Sequence, residues 1–226
     1  MRKGLIFDVD GVIIDVSLSY HYAIKNTAEK FIGISLDIEK VREIKFKNGI
    51  NNDYLATLEV IKTFNKYASL EEIIKEFNKE YEKLKNLERL ILSREFFRKL
   101  KQYNIPLGIL TGRPKEDLKS AFDRFGLWEF FDFVVDDDTI EDPNLRKPNP
   151  YALHFCIEGM RLDSAIYIGD SLADYQMVEN YKKIYKKPVD YIHFGERVKP
   201  SGVKVVLSED ELFQALKEVL QSRELV

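Results

Sequence analysis

Lys3–Val16 reads KGLIFDVDGVIIDV, and this stretch decides the fold. An apolar run from Gly4 to Phe7 stops on two aspartates, Asp8 and Asp10, and Gly11 and a second apolar run follow. A short, continuously apolar run predicts a buried strand of a parallel sheet. Its carboxylates begin where the strand ends, at the edge where open α/β sheets take their ligands. Two acids this close resist being ionised together unless a cation or a proton lies between them. The residue types suit a metal-assisted nucleophile with an acid/base partner. They also suit an ordinary turn, which favours Asp and Gly.

The rest of the chain sets the limits on that choice. With 226 residues it can bury a large core, as one domain with a sizeable insertion or as two. Apolar residues make up 45% and charged ones 32%, the balance of a globular protein. The formal net charge of −3 offers no field to attract nucleic acid or an anionic membrane. Cys156 is the only cysteine, so neither an internal disulfide nor a cysteine-based zinc site is available, and its apolar setting reads as packing. His21, His154 and His193 show no metal-ligand spacing. No segment reaches the ~20 apolar residues of a membrane span, and the N-terminus does not read as a signal peptide. The expectation is a soluble, cytoplasmic protein, monomer or homodimer.

After Val16 the pattern becomes helical. Tyr20, Ala23, Ile24, Thr27, Ala28 and Phe31 recur near helical spacing, with Gly33 as the stop. Further helices are expected from Asp37 to about Phe46, from Tyr54 to about Phe64 behind an Asn52 or Asp53 cap, and after the Ser69/Glu72 capping box. An all-helical block between α/β pieces reads as an inserted domain. The expected division is residues 1–16 with 89–226 as an α/β domain, and 17–88 as the helical insertion. The α/β pattern resumes with a Ser93-capped helix and then strands at Ile105–Leu110, Phe131–Val135 and Ser164–Gly169. Helices alternate with these strands, among them one that Pro114 opens and Gly126 closes and another from about Ala173 to Tyr181. VDYIHF and VKVVL follow as two more strands, and Ser208/Glu211 precede a last helix, Leu212 to Leu220. The fold class predicted is a doubly wound parallel α/β sheet with helices on both faces.

Strand after strand ends on a residue suited to phosphate chemistry. Asp8 and Asp10 follow the first strand, Thr111 and Gly112 the second, Asp170 and Asp174 the fourth, and Lys147 lies in the loop after the third. In a parallel sheet these ends share one edge. A carboxylate can attack a phosphate monoester and carry the phosphoryl group as an aspartyl-phosphate. Grouped carboxylates suit Mg²⁺, a hard cation that takes oxygen ligands. A Thr hydroxyl, a backbone amide and a lysine can hold the phosphoryl oxygens. Singly, each piece is also an ordinary turn, helix cap or solvated lysine; in order on successive strand ends they form a pattern.

The four stretches DVDGV (8–12), LTGRP (110–114), RKPNP (146–150) and GDSLAD (169–174) resemble those of the haloacid dehalogenase superfamily, in its phosphatase branch. The resemblance implies Asp8 as nucleophile and metal ligand. It implies Asp10 as general acid, then base, with its carbonyl on the metal. Thr111 and the Gly112 amide would bind phosphate, Lys147 would neutralise charge, Asp170 would ligate the metal, and Asp174 would support it. The helical block resembles the cap of the phosphoglycolate phosphatase-like subgroup, a kind that closes over the site and reads the substrate. Within KNGINND (47–53), Lys47, Asn51 and Asn52 (with Lys45 before them) are candidates for contacting a second polar group of the substrate; a plain interhelical loop is the alternative. Val12 and Val16 stand where many relatives carry Thr and Ser. The function implied is Mg²⁺-dependent hydrolysis of a small phosphorylated metabolite, such as a phosphoglycolate-like compound or a sugar phosphate. Alternatives on the same scaffold are a sugar-phosphate mutase, a phosphonatase or a non-catalytic phosphometabolite-binding module.

Overall fold

A computed structural model describes residues 2–47, 49–197 and 199–221. Along the chain, β1 (Lys3–Phe7) and β2 (Ile14–Asp15) precede four helices: α1 (Tyr20–Ile32), α2 (Ile38–Lys47), α3 (Asp53–Thr63) and α4 (Leu70–Leu84). Then come β3 (Arg89–Leu90), α5 (Arg94–Lys101), β4 (Leu107–Leu110), α6 (Lys115–Phe125) and β5 (Phe133–Val135). α7 (Pro150–Gly159), β6 (Ser164–Gly169), α8 (Leu172–Tyr185), β7 (Val189–Phe194), β8 (Lys204–Val206) and α9 (Glu209–Gln221) complete it. The chain divides into two compact units, Met1–Ile14 with Leu90–Val226, and Asp15–Arg89. Both passages between the units run through β2 and β3, which pair as a two-stranded ribbon. At two residues each, these strands are too short for any periodicity to announce them.

The first unit is built on a parallel sheet ordered β5-β4-β1-β6-β7-β8. β1 lies inside it, with Phe7 opposite Ile109 on one side and Ile168 on the other. The connections step outward through β4 and β5 and then return to the other side of β1, which makes its C-terminal end the switch point. Alternate residues face opposite ways. Ile6, Ala165, Tyr167, Val189 and Tyr191 pack with Ala152, Leu153, Met177 and Val178 of α7 and α8. On the opposite face Phe7 meets Phe96 and Phe97 of α5 edge-on, and Phe96 meets Phe213 of α9.

The expected element edges shift for local reasons. β4 begins at Leu107 rather than Ile105, after Pro106, which has no N–H to donate. β5 begins at Phe133, because Phe131 turns into the aromatic cluster with Phe7 and Phe97. Pro114 is the cap of α6 rather than its first residue. α8 continues to Tyr185, and α9 starts at Glu209. Ser208 accepts the Glu211 N–H as expected, but the Glu211 carboxylate accepts from Leu207 N and not from Ser208 N.

Ser93 caps α5 by accepting the Phe96 N–H at 3.1 Å, and the Glu209 carboxylate takes both the Ser93 hydroxyl and its backbone N–H. Ser93→Ala removes the cap and one donor to Glu209. A loss of about 1–2 kcal/mol is expected, measured as a lowered urea midpoint.

The second unit is a helical cluster. Tyr20 stacks on Tyr81 with ring centroids 4.3 Å apart and lies near Phe77, over a core of Ala23, Ile24, Ala56, Val60 and Ile73. The Ser69/Glu72 capping box forms in both directions at the head of α4. Burial works against the Glu80 carboxylate, but Lys30, Lys83 and Asn26 donate to it and hold it down, to about 2. Among the described residues, no helix is long and apolar enough to cross a membrane.

Candidate active site

The site grows from the turn after β1. Val9 O accepts the N–H groups of Ile13 and Ile14, and Gly11 N donates back to Ile14 O, closing the chain on itself. Gly11 sits at φ +81°, in the left-handed region that favours glycine. A side chain there would also collide with the Asp170 carboxylate, since an added Cβ would lie 2.0 Å from Oδ2. This glycine allows the end of β6 to approach the end of β1.

Asp8 extends β1 by donating its N–H to Ile168 O at 2.9 Å, and its side chain is buried. Its Oδ1 accepts from Val9 N and meets Lys147 Nζ, each at 2.8 Å, so both contacts fall on one oxygen. Lys147 Nζ also lies 2.8 Å from Asp174 Oδ1, and its side chain is only 2% exposed. Tyr167 donates to the same Asp174 oxygen at 2.9 Å, and Ser171 donates to Oδ2 from both its hydroxyl and its N–H. Both Asp174 oxygens are therefore engaged in holding Lys147, Tyr167 and the start of α8. Thr111 N donates to Val135 O, and its buried hydroxyl accepts the Arg113 N–H at 3.1 Å.

The electrostatics reflect burial first and neighbouring charges second. Burial pushes the Asp8 carboxyl up, to about 7, with Asp174 and Asp10 adding to the shift and Lys147 opposing it. For Lys147, burial works to lower the value, and the carboxylates of Asp174 and Asp8 overcome it and hold the ammonium above its ordinary range.

Oxygen atoms of Asp8, Asp170 and Asp174 all lie within 4.8 Å of one another. With Asp10 there are four carboxylates here; Lys147 pairs with Asp8 and Asp174, and Arg113 with Asp10. An all-oxygen donor set, with one carboxyl raised chiefly by burial and further by its acidic neighbours, fits a hard divalent cation.

The structure thus brings Asp8, Asp10, Lys147, Asp170 and Asp174 together, with Thr111 one strand away and Gly112 next to it. The second-unit candidates lie elsewhere in the chain. Lys47 is exposed at the end of α2, Asn51 is half-buried, and Asn52 caps α3 by accepting the Leu55 N–H at 3.0 Å. Asn48, within the same loop, lies outside the described residues. Lys45 pairs with Asp53 inside the second unit. Arg113 is the residue that sequence reasoning missed: its buried guanidinium bonds Asp10. Its presence in LTGRP was the available signal.

A family model described as haloacid dehalogenase-like hydrolase matches residues 5–182. Imidazoleglycerol-phosphate dehydratase of Phytophthora nicotianae is 29% identical over 184 residues, 76% of this chain and 40% of that protein. Phosphoglycolate phosphatase of Rhodobacter capsulatus is 31% identical over 100 residues, 41% of this chain and 44% of that protein. The chain thus spans less than half the length of these two relatives. The crystal structure of β-phosphoglucomutase from Clostridium difficile superposes with a TM-score of 0.74 at 22% identity, covering 100% of both chains, a likeness of fold.

Proposed function

Since the chain belongs to the haloacid dehalogenase-like hydrolases, we propose that it is a Mg²⁺-dependent phosphatase of a small phosphorylated metabolite, working through an aspartyl-phosphate on Asp8. The observation that carries this reading is the buried Asp8–Lys147–Asp174 line beside Asp170. Lys147 and the Val9 N–H hold Asp8 by Oδ1, so Oδ2 is the oxygen that attacks phosphorus. Thr111 Oγ1 and the Gly112 N–H receive the phosphoryl oxygens, and Lys147 offsets the charge that gathers between nucleophile and phosphate. Asp10 gives a proton to the departing oxygen and then takes one from the water that opens the aspartyl-phosphate. Asp8, Asp170 and the Asp10 carbonyl would hold Mg²⁺, with Asp174 acting from behind through Lys147 and Ser171. When bound, Mg²⁺ supplies positive charge against the phosphoryl group. By family resemblance the unit Met1–Ile14 with Leu90–Val226 would be the core and the unit Asp15–Arg89 the cap. On the same basis Lys47, Asn51 and Asn52 read the part of the substrate that is not transferred.

The test is phosphate release from a panel of phosphorylated metabolites with Mg²⁺ and with EDTA. Mg²⁺-dependent release is expected; none from any compound would sink the phosphatase reading and favour a mutase or a binding role. Asp170→Ala is expected to weaken Mg²⁺ binding by at least about tenfold. Calorimetric titration of the metal checks this, and an unchanged affinity would remove Asp170 from the ligand set.

A further inference from the structure

Arg113 is the cation that the proposed mechanism leaves without a task. Its side chain is 0% exposed, while that of its partner Asp10 is 26% exposed. Burying a guanidinium is costly unless it is paired, so its position is defined by what it touches. Nε donates to Asp10 Oδ1 at 3.0 Å, and a second guanidinium nitrogen donates to the same oxygen. The Arg113 backbone is fixed as well: its N–H donates to Thr111 Oγ1 at 3.1 Å, and its carbonyl accepts from Asp137 N at 3.0 Å. The residue therefore ties Asp10 to the Thr111 loop, across 103 positions of sequence.

We propose that Arg113 is a positioning residue for proton transfer: its planar fork grips Asp10 by Oδ1 and leaves Oδ2 as the oxygen that delivers the proton to the leaving group. This rests on the reading of Asp10 as the acid in the first half-reaction. There the bond from Asp8 Oδ2 to phosphorus forms and the ester P–O bond breaks. That bond's electron pair goes to the leaving oxygen, which takes the proton from Asp10. Two donors converging on one carboxylate oxygen fix the carboxylate's torsion, whereas a lysine, a single point charge, does not.

Proton delivery matters more the more basic the leaving oxygen is. Benzyl, phenyl and 4-nitrophenyl phosphate have similar shapes and leaving groups of falling basicity. The quantity to compare is kcat/KM, which covers the steps through departure of the leaving group and excludes hydrolysis of the shared aspartyl-phosphate. In the full chain with Mg²⁺, Arg113→Gln and Arg113→Lys are expected to lower kcat/KM by at least about tenfold on benzyl phosphate and by less than about threefold on 4-nitrophenyl phosphate. Asp10→Asn should give a slope of the same sign but steeper, and Asp10→Asn/Arg113→Gln no steeper slope than Asp10→Asn. The Lys variant keeps a buried charge beside Asp10, so a folded protein is available even if the Gln variant fails to fold. Equal losses on all three esters would overturn the positioning role and leave the phosphatase reading standing. A flat profile for Asp10→Asn itself, or no Mg²⁺-dependent release by the unmodified chain, would overturn the reading beneath it.

Discussion

Asp8→Asn is expected to lower phosphate release by roughly 10⁴-fold or more while the protein stays folded. The amide cannot form the acyl phosphate. Folding is not at risk, because β1 is fixed by its backbone ladder and by Leu5, Ile6 and Phe7, all fully buried. The substitution also removes a buried carboxyl whose value burial pushes from 3.8 to about 7. The sign follows from linkage. A raised folded-state value stabilises the fold below the unfolded value and loses that contribution as pH rises through the folded one. In metal-free protein, Asp8→Asn should gain stability relative to the unmodified chain as pH rises from about 4 towards 7. Thermal melts across that window, with kinetics beside them, check both halves. Substantial turnover in the folded variant would end the nucleophile assignment, and a stability difference that shrinks with pH would contradict the electrostatics.

Lys147→Met should be the most damaging single change to stability at the site. Lys147 is buried between Asp8 and Asp174, 2.8 Å from each. Removing one partner of a buried ion pair leaves the other charge uncompensated and costs about 3–5 kcal/mol. Here two carboxylates lose their cation at once. Activity should fall with stability, and adding Asp174→Asn should recover part of the stability but none of the activity. Chemical denaturation of the single and double variants measures the coupling. Additive losses would mean that Lys147 and Asp174 do not depend on one another.

Much of this was legible in the sequence because local chemistry and tertiary role agree. SAIYIG is a strand over the residues its apolar run marked, and Ser69, Ser93 and Asn52 cap the helices that follow them. The aspartates could be read because strand ends in a parallel sheet share an edge, whatever the sheet's order. What stayed hidden depends on partners far apart in the chain. Nothing near Arg113 says that Asp10 is its partner, and nothing in SAIYIG says that Tyr167 will reach Asp174. Asp174 could be placed at the shared strand edge but not behind Lys147, because its two oxygens are engaged by groups that only the folded chain assembles. The ribbon β2–β3 escaped notice because two residues carry no pattern.

That ribbon has a consequence for how such a protein can change over generations. The chain leaves the sheet-bearing unit at Ile14 and re-enters it at Leu90, and the two passages run side by side as paired strands. The ends of the intervening segment are thus already joined, whatever lies between them. Closure entropy grows only with the logarithm of the enclosed length. Segments between these strands can be lengthened, shortened or exchanged with little penalty to the sheet edge that carries Asp8. The inserted segment and the sheet-bearing unit can then drift at separate rates within one gene, the first by wholesale replacement and the second one residue at a time.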